Sequence, residues 1–301
     1  MAAAELLINL LNQYQQKGQK SIYVDDAARG ILRAFYQRAV GKNTPAGGGR
    51  AAASQDLAEL PQAVSKGEKV SLSQPDEVVA QKPAELAAIQ LVSNDAKGML
   101  NELWQHSKSW RPLLALKSVR NRHVFASGRP DADIMFVGEA PGYEEEQKGK
   151  PFVGPAGQKL EAILKAMNLS RDEVYLTNVL KFRPMLPNQT LNNRKPNEAE
   201  VRAAMPILLG EIDAVKPKCI VALGATASAI FSGENIAVDE QRGKFIDWNG
   251  TPVRVTYHPS YLLHTEDTAE KRKVWEDMLA VMERCGMEVT DRQRGFFLKK
   301  K

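Results

Sequence analysis

Residues 132–142 read ADIMFVGEAPG, a nearly unbroken apolar run that passes directly into a turn rich in glycine and proline. An apolar run without polar alternation suits a strand covered on both faces. Three later stretches share the pattern: VYLTNVL (174–180), CIVALG (219–224) and PVRVTYH (252–258). Helical periodicity falls between them at about 156–168, 198–214 and 225–232, and once more at about 269–284. Such βα alternation predicts a parallel sheet with helices on both sides. The expected fold is α/β: a three-layer αβα arrangement around a central four-stranded parallel sheet, with no internal repeat.

Toward the N-terminus the pattern changes. Residues 4–16 and 26–40 have the spacing of short amphipathic helices, with Leu6, Leu7, Leu10 and Leu11 on one stripe and Ile31, Leu32, Phe35 and Tyr36 on the other. So short a segment rarely holds a core of its own. Residues 1–41 are therefore read as a small helical extension that docks on a protein partner or on the main domain. Residues 42–82, which include TPAGGGRAAAS, have the composition of a flexible linker. The main domain is expected over 83–301, entered by a helix through LAAIQLV (86–92) and a second helix capped by Ser93 and Asn94.

The 301 residues carry a formal charge of +5, a mild preference for an anionic partner such as nucleic acid. Cys219 and Cys285 lie too far apart to be read as a disulfide framework or a metal cage. The opening MAAAELLINLL carries Glu5 and lacks a basic leader, so no signal peptide is expected. No apolar run approaches the roughly 18 residues of a membrane helix. A soluble, intracellular monomer is expected, cytoplasmic and nucleoid-associated in a bacterium.

In an open α/β sheet the ligand crevice lies beyond the carboxyl ends of the strands. Those positions hold Gly138-Glu139-Ala140-Pro141-Gly142, Thr177-Asn178, Gly224-Ala225-Thr226 and His258-Pro259-Ser260. Taken singly, a Gly-Pro-Gly loop reads as a turn, an Asn at a strand end as a cap and a His before Pro as structural. Their joint placement puts a carboxylate, a carboxamide and an imidazole on one rim.

Residues 131–160, DADIMFVGEAPGYEEEQKGKPFVGPAGQKL, resemble the signature of family 4 uracil-DNA glycosylases. TNVLKFRP (177–184), VALGATA (221–227), RGK (242–244) and YHPSYLL (257–263) are similar to the family's later blocks, in order. The resemblance spans roughly residues 97–285. It implies an enzyme that flips uracil out of DNA and hydrolyses its glycosidic bond, leaving an abasic site. Gly138, Phe152, Asn178 and Glu145 would contact uracil, and Glu139 and His258 would carry the catalysis.

The chemistry of these side chains fits. A flipped base needs an aromatic face and polar groups on its edge, and Phe152 is the candidate platform, a core Phe being the other reading. The Asn178 carbonyl can accept from uracil N3–H while its amide donates to O4, whereas cytosine presents the opposite pattern. His258 can donate to the uracil O2 as the base leaves. Glu139 can stabilise the cationic sugar or orient water. Family 1 enzymes carry Gly-Gln-Asp-Pro-Tyr, and here the Asp and Tyr positions are Ala140 and Gly142. Exclusion of the thymine methyl then falls by resemblance to Glu145, with Tyr143 second.

For the DNA backbone, the candidates are Lys181, Arg183, Arg242 and Lys244, with further basic pairs at Arg194/Lys195 and Lys271/Arg272/Lys273. The loop with Ser260, Tyr261, Leu262 and Leu263 is read as a wedge entering the base stack, or as a loop packing back on the core. Family 4 enzymes hold an iron–sulfur cluster on four cysteines. Those positions are Arg111, Leu114, Phe182 and Ala204 here, so no cofactor is expected. Two other readings stand beside the monofunctional glycosylase. One is a catalytically weak or inactive DNA-binding relative; the other is a nucleotide-binding module with GEAPG around phosphate, for which no GxGxxG or P-loop follows a strand. No lysine occupies an obvious Schiff-base position, so lyase activity is not expected.

Overall fold

Successive side chains of a strand point to opposite faces, and strand β3 (Ile134–Gly138) shows what that requires here. Ile134 and Phe136 enter one apolar cluster, while Met135 and Val137 enter another on the opposite face. The computed structural model describes residues 89–233, 236–265 and 267–298. The helical extension at 1–41, the linker at 42–82 and the start of the expected 83–301 domain lie outside the described residues.

In chain order the elements are α1 (Ala96–Lys108), α2 (Arg111–Leu114), β1 (Val119–His123), β2 (Ser127–Gly128), β3, α3 (Tyr143–Lys148) and α4 (Pro155–Ala166). Then come β4 (Tyr175–Asn178), β5 (Phe182–Pro184), α5 (Glu198–Val215), β6 (Cys219–Leu223), α6 (Ala225–Ser232) and α7 (Val238–Gln241). The chain continues through β7 (Phe245–Trp248), β8 (Thr251–Thr256), a 3-10 helix (Pro259–Leu263), α8 (Thr268–Arg284) and α9 (Asp291–Arg294).

Among the described residues the main sheet has six strands in the order β2-β4-β3-β6-β8-β7. The inner four, β4-β3-β6-β8, are parallel, as the sequence predicts. The antiparallel edge strands β2 and β7 were not predicted. β2 spans only two residues, and the pattern at β7 is mixed rather than apolar, so neither carries a buried-strand signature. β1 and β5 form a separate antiparallel pair.

One helical layer brings α1, α5 and α6 onto Met135, Ile220 and Val253. The other brings α4 and α8 onto Phe136, Val221 and Cys219. Both layers bury their strand residues almost completely. The three-layer α/β architecture follows.

The helix entrance differs from expectation. Ile89–Val92 has no helical structure, and α1 is capped by Asp95, whose Oδ1 accepts from the Gly98 amide at 2.9 Å. Ser93 instead meets Glu102, its amide donating to Oε1 at 2.8 Å. A carboxylate nearly two turns inside the helix competes for the serine, and the cap falls on Asp95 instead of Ser93 and Asn94. No described helix is long and apolar enough to cross a membrane.

Candidate active site

The chain runs from β3 through α4 to β4 on one side, then through α5 to β6 on the other side of β3. Strand order therefore reverses at β3, and the crevice opens beyond its carboxyl end. A cleft of about 590 Å³ occupies that place, lined by Glu139, Phe152, Asn178, Gly224 and His258 among others. Its volume is in the usual range for small-ligand pockets.

Phe152 is buried in a backbone conformation with φ 54°, a left-handed geometry that side-chain-bearing residues rarely adopt. Three features hold it there. Arg171 donates to the carbonyls of Pro151 and Phe152, each at 2.6 Å. Glu145 accepts from the amides of Val153 at 3.0 Å and Gly154 at 2.8 Å. Gly157 lies so close that a Cβ would overlap the Phe152 carbonyl. The ring is thereby fixed before any ligand arrives.

At Gly138 an added Cβ would stand 2.6 Å from Phe152 Cζ and closer still to Asn178 Oδ1, so these two side chains converge on one glycine. Asn178 is 2% exposed, and its bond to a described residue runs through its main-chain carbonyl, not through its carboxamide. Asn178 lines the cleft, so the polar edge of its carboxamide is left open to a ligand there.

The His258 ring centroid lies 6.3 Å from that of Phe152. Its Nδ1 accepts the backbone N–H of Ser260 at 3.2 Å and meets Ser260 Oγ at 2.7 Å. In the neutral ring the proton is then on Nε2, which has no partner among the described residues. Burial lowers the imidazole pKa to about 4, against a smaller upward pull from the Glu145 carboxylate. The ring is a neutral donor at physiological pH.

Glu139 accepts the Thr226 hydroxyl. Burial raises its carboxyl above the ordinary value, opposed by the Thr226 bond and the Lys195 charge. Glu145 lines the same cleft but is committed to three backbone amides, the third being Gly142 at 3.1 Å.

The structure corrects several expected DNA contacts. Lys181 is buried, with its ammonium on Glu211, on Thr177 Oγ1 at 2.6 Å and on the Asn178 carbonyl at 2.7 Å. Burial pushes Glu211 up and Lys181 down, and their mutual attraction opposes both shifts. Arg183 is buried too, on Glu146 at 3.0 Å and on the carbonyls of Thr190 and Asn192. Neither reaches a phosphate. Arg242 is turned inward onto Asp277 and the Lys273 carbonyl. Leu262 is buried against Tyr257 and Val274, so it is no wedge. Leu263 is 39% exposed on the cleft rim, and Tyr261 stacks on Tyr257 at 4.6 Å between centroids. Ser260 lines the cleft, and Lys244 is exposed before β7.

Sequence reasoning offered Lys195 as one of a basic pair but missed Leu191 and Asn193 beside it on the rim, and the buried clamps beneath it. Of the two acids in the apolar run MPILLGEIDAV, Asp213 is exposed and Glu211 is buried, and a buried carboxylate calls for a cation to pair with it.

The positions matching the family's cluster ligands carry no sulfur. Phe182, Ala204 and the half-buried Leu114 join the apolar cluster on the α5 side of the sheet, and Arg111 is exposed. Cys219 and Cys285 belong to the opposite layer. These residues do not fit an iron–sulfur cluster. Among the described residues there is no group of three or more His, Cys, Asp or Glu side chains placed to hold a metal ion.

The doubly wound sheet, its reversal at β3 and the cleft there define an α/β protein whose switch point gathers an aromatic ring, a carboxamide, an imidazole and a carboxylate. A family model described as the uracil DNA glycosylase superfamily matches residues 125–279, and the chain belongs to that superfamily. Three Type-4 uracil-DNA glycosylases are similar to it. That of Thermotoga maritima is 42% identical over 161 residues, covering 53% of this chain and 81% of the relative. That of Sulfurisphaera tokodaii is 41% identical over 167 residues, covering 52% and 72%. The protein from Archaeoglobus fulgidus is 36% identical over 180 residues, covering 57% and 86%. The kinship read from the motifs is borne out.

Proposed function

We propose that this chain is a DNA-repair glycosylase that hydrolyses the bond between uracil and deoxyribose. The observation that carries the reading is the unpartnered Asn178 carboxamide beside Phe152 and the free Nε2–H of His258, all on one cleft. Uracil stacks on Phe152 while Asn178 accepts from N3–H and donates to O4. As the C1′–N1 bond breaks, its electron pair passes to the base and gathers on O2, where the neutral His258 donates. Glu139 faces the cationic C1′ and accepts a proton from the water that adds there. Glu145, held by three amides, and Tyr143 exclude a 5-methyl group by bulk.

Leu263 enters the space the base has left, with Tyr261 and Ser260 beside it, and Lys244 and Lys195 meet phosphates. Packing of Phe182, Ala204 and Leu114 does the work of a metal staple, so activity is iron-independent. The substrate is uracil-containing DNA inside the cell, the catalytic domain acts as a monomer, and residues 1–41 dock a protein partner.

The test is release of uracil from a uracil-containing oligonucleotide by protein prepared with chelator throughout. Turnover is expected without iron, with loss on Asn178→Ala and on His258→Ala. Absence of release from uracil DNA would defeat the catalytic reading, and activity that tracks bound iron would defeat the metal-free one.

A further inference from the structure

The carboxamide proposed to read uracil has no side-chain partner of its own, so what fixes it must act through the main chain. Strand β4 ends at Asn178, and its outer neighbour β2 pairs only as far as Leu176. Beyond that point the Asn178 carbonyl takes the Lys181 ammonium at 2.7 Å. The same ammonium holds Thr177 Oγ1 at 2.6 Å and the Glu211 carboxylate of α5. Glu211 Oε1 in turn accepts from Tyr175 and Thr177, each at 2.9 Å. Every member is buried.

A buried ion pair is a poor device for stability alone, because well-packed apolar residues of similar volume do as well or better. What it supplies is a fixed geometry. This one lies directly behind the residue that reads the base. We propose that Lys181 and Glu211 are positioning residues that set the direction of the Asn178 carboxamide, and with it the selection of uracil. The proposal rests on the role given to Asn178 above.

Lys181→Met alone would strand a buried carboxylate and risk unfolding, so the informative variant is Lys181→Met with Glu211→Gln, which neutralises both at similar size. Its thermal midpoint should stay near that of the parent. Single-turnover release of uracil should fall roughly 10- to 100-fold, as misplacement by about 1 Å does, with KM for uracil DNA little changed. In an Asn178→Ala background the same pair of changes should cost nothing further, the signature of action through one residue. The Asn178 side-chain amide signals, assigned by their loss in Asn178→Ala, should lose dispersion in the neutral-pair variant without any substrate present.

Parental activity and unchanged amide signals in the folded variant would overturn the proposal. So would an equal loss with and without Asn178. If that variant does not fold, Thr177→Val keeps both charges and removes one link, and the same two readouts decide. Parent protein that releases no uracil would remove the functional reading, while the amide signals would still decide the positioning.

Discussion

At the scale of single residues, Gly138 lies where Phe152 and Asn178 converge. An added methyl would meet Phe152 Cζ at 2.6 Å and press on Asn178 Oδ1. Gly138→Ala is therefore expected to keep the fold and lose uracil release by about 100-fold, the scale of a misplaced contact, measured by single-turnover kinetics beside a thermal melt. His258 and His123 each have a pKa lowered to about 4, in both cases first by burial, from an ordinary 6.5. The unfolded chain then binds protons that the folded one refuses, so their contribution to stability is full above about pH 6.5 and is lost as pH falls toward 4. Urea midpoints taken across that window should decline, and His258→Gln should flatten the decline by one proton's worth. A decline unchanged by that substitution would contradict the neutral imidazole on which the donor role depends.

At the scale of elements, the loop between α3 and α4 holds Phe152 in its left-handed backbone by Glu145 and Arg171. Hydrogen bonds to a charged group each contribute about 1.5–3 kcal/mol. Glu145→Ala removes three of them and is expected to cost several kcal/mol in chemical denaturation while raising KM for uracil DNA. The inner strands were legible because each is an apolar run too short for a helix, and α5 because Asn197 and Glu200 form a capping box ahead of an apolar stripe. The edge strands β2 and β7 were not legible, since a two-residue bridge and a mixed pattern carry no period. Nor were the clamps. A lysine or arginine beside a functional motif reads as a phosphate contact, and only the burial of Glu146 and Glu211 makes Arg183 and Lys181 their partners. In the wedge loop the sequence offered Tyr261, Leu262 and Leu263 alike, and the 3-10 turn sends Leu262 inward and Leu263 out.

At the scale of the molecule, the two helical layers carry different duties. The α5 layer meets β1, β5 and the clamps under the cleft rim, and Phe182 fills its centre at 2% exposure. Phe182→Ala should open a cavity costing about 3–5 kcal/mol, seen as a lower urea midpoint, and release of uracil should fall with it because Arg183 anchors the rim from the next residue. The α4–α8 layer supports Phe152 from below and holds both of the chain's cysteines, Cys219 in β6 and Cys285 just past α8. Both cysteine thiols thus lie behind the sheet, on the face away from Leu114, Phe182 and Ala204. An alkylating reagent would accordingly take the half-buried Cys285 first, and its slower capture of the buried Cys219 would keep time on the breathing of that rear wall, a stopwatch that runs without reference to turnover.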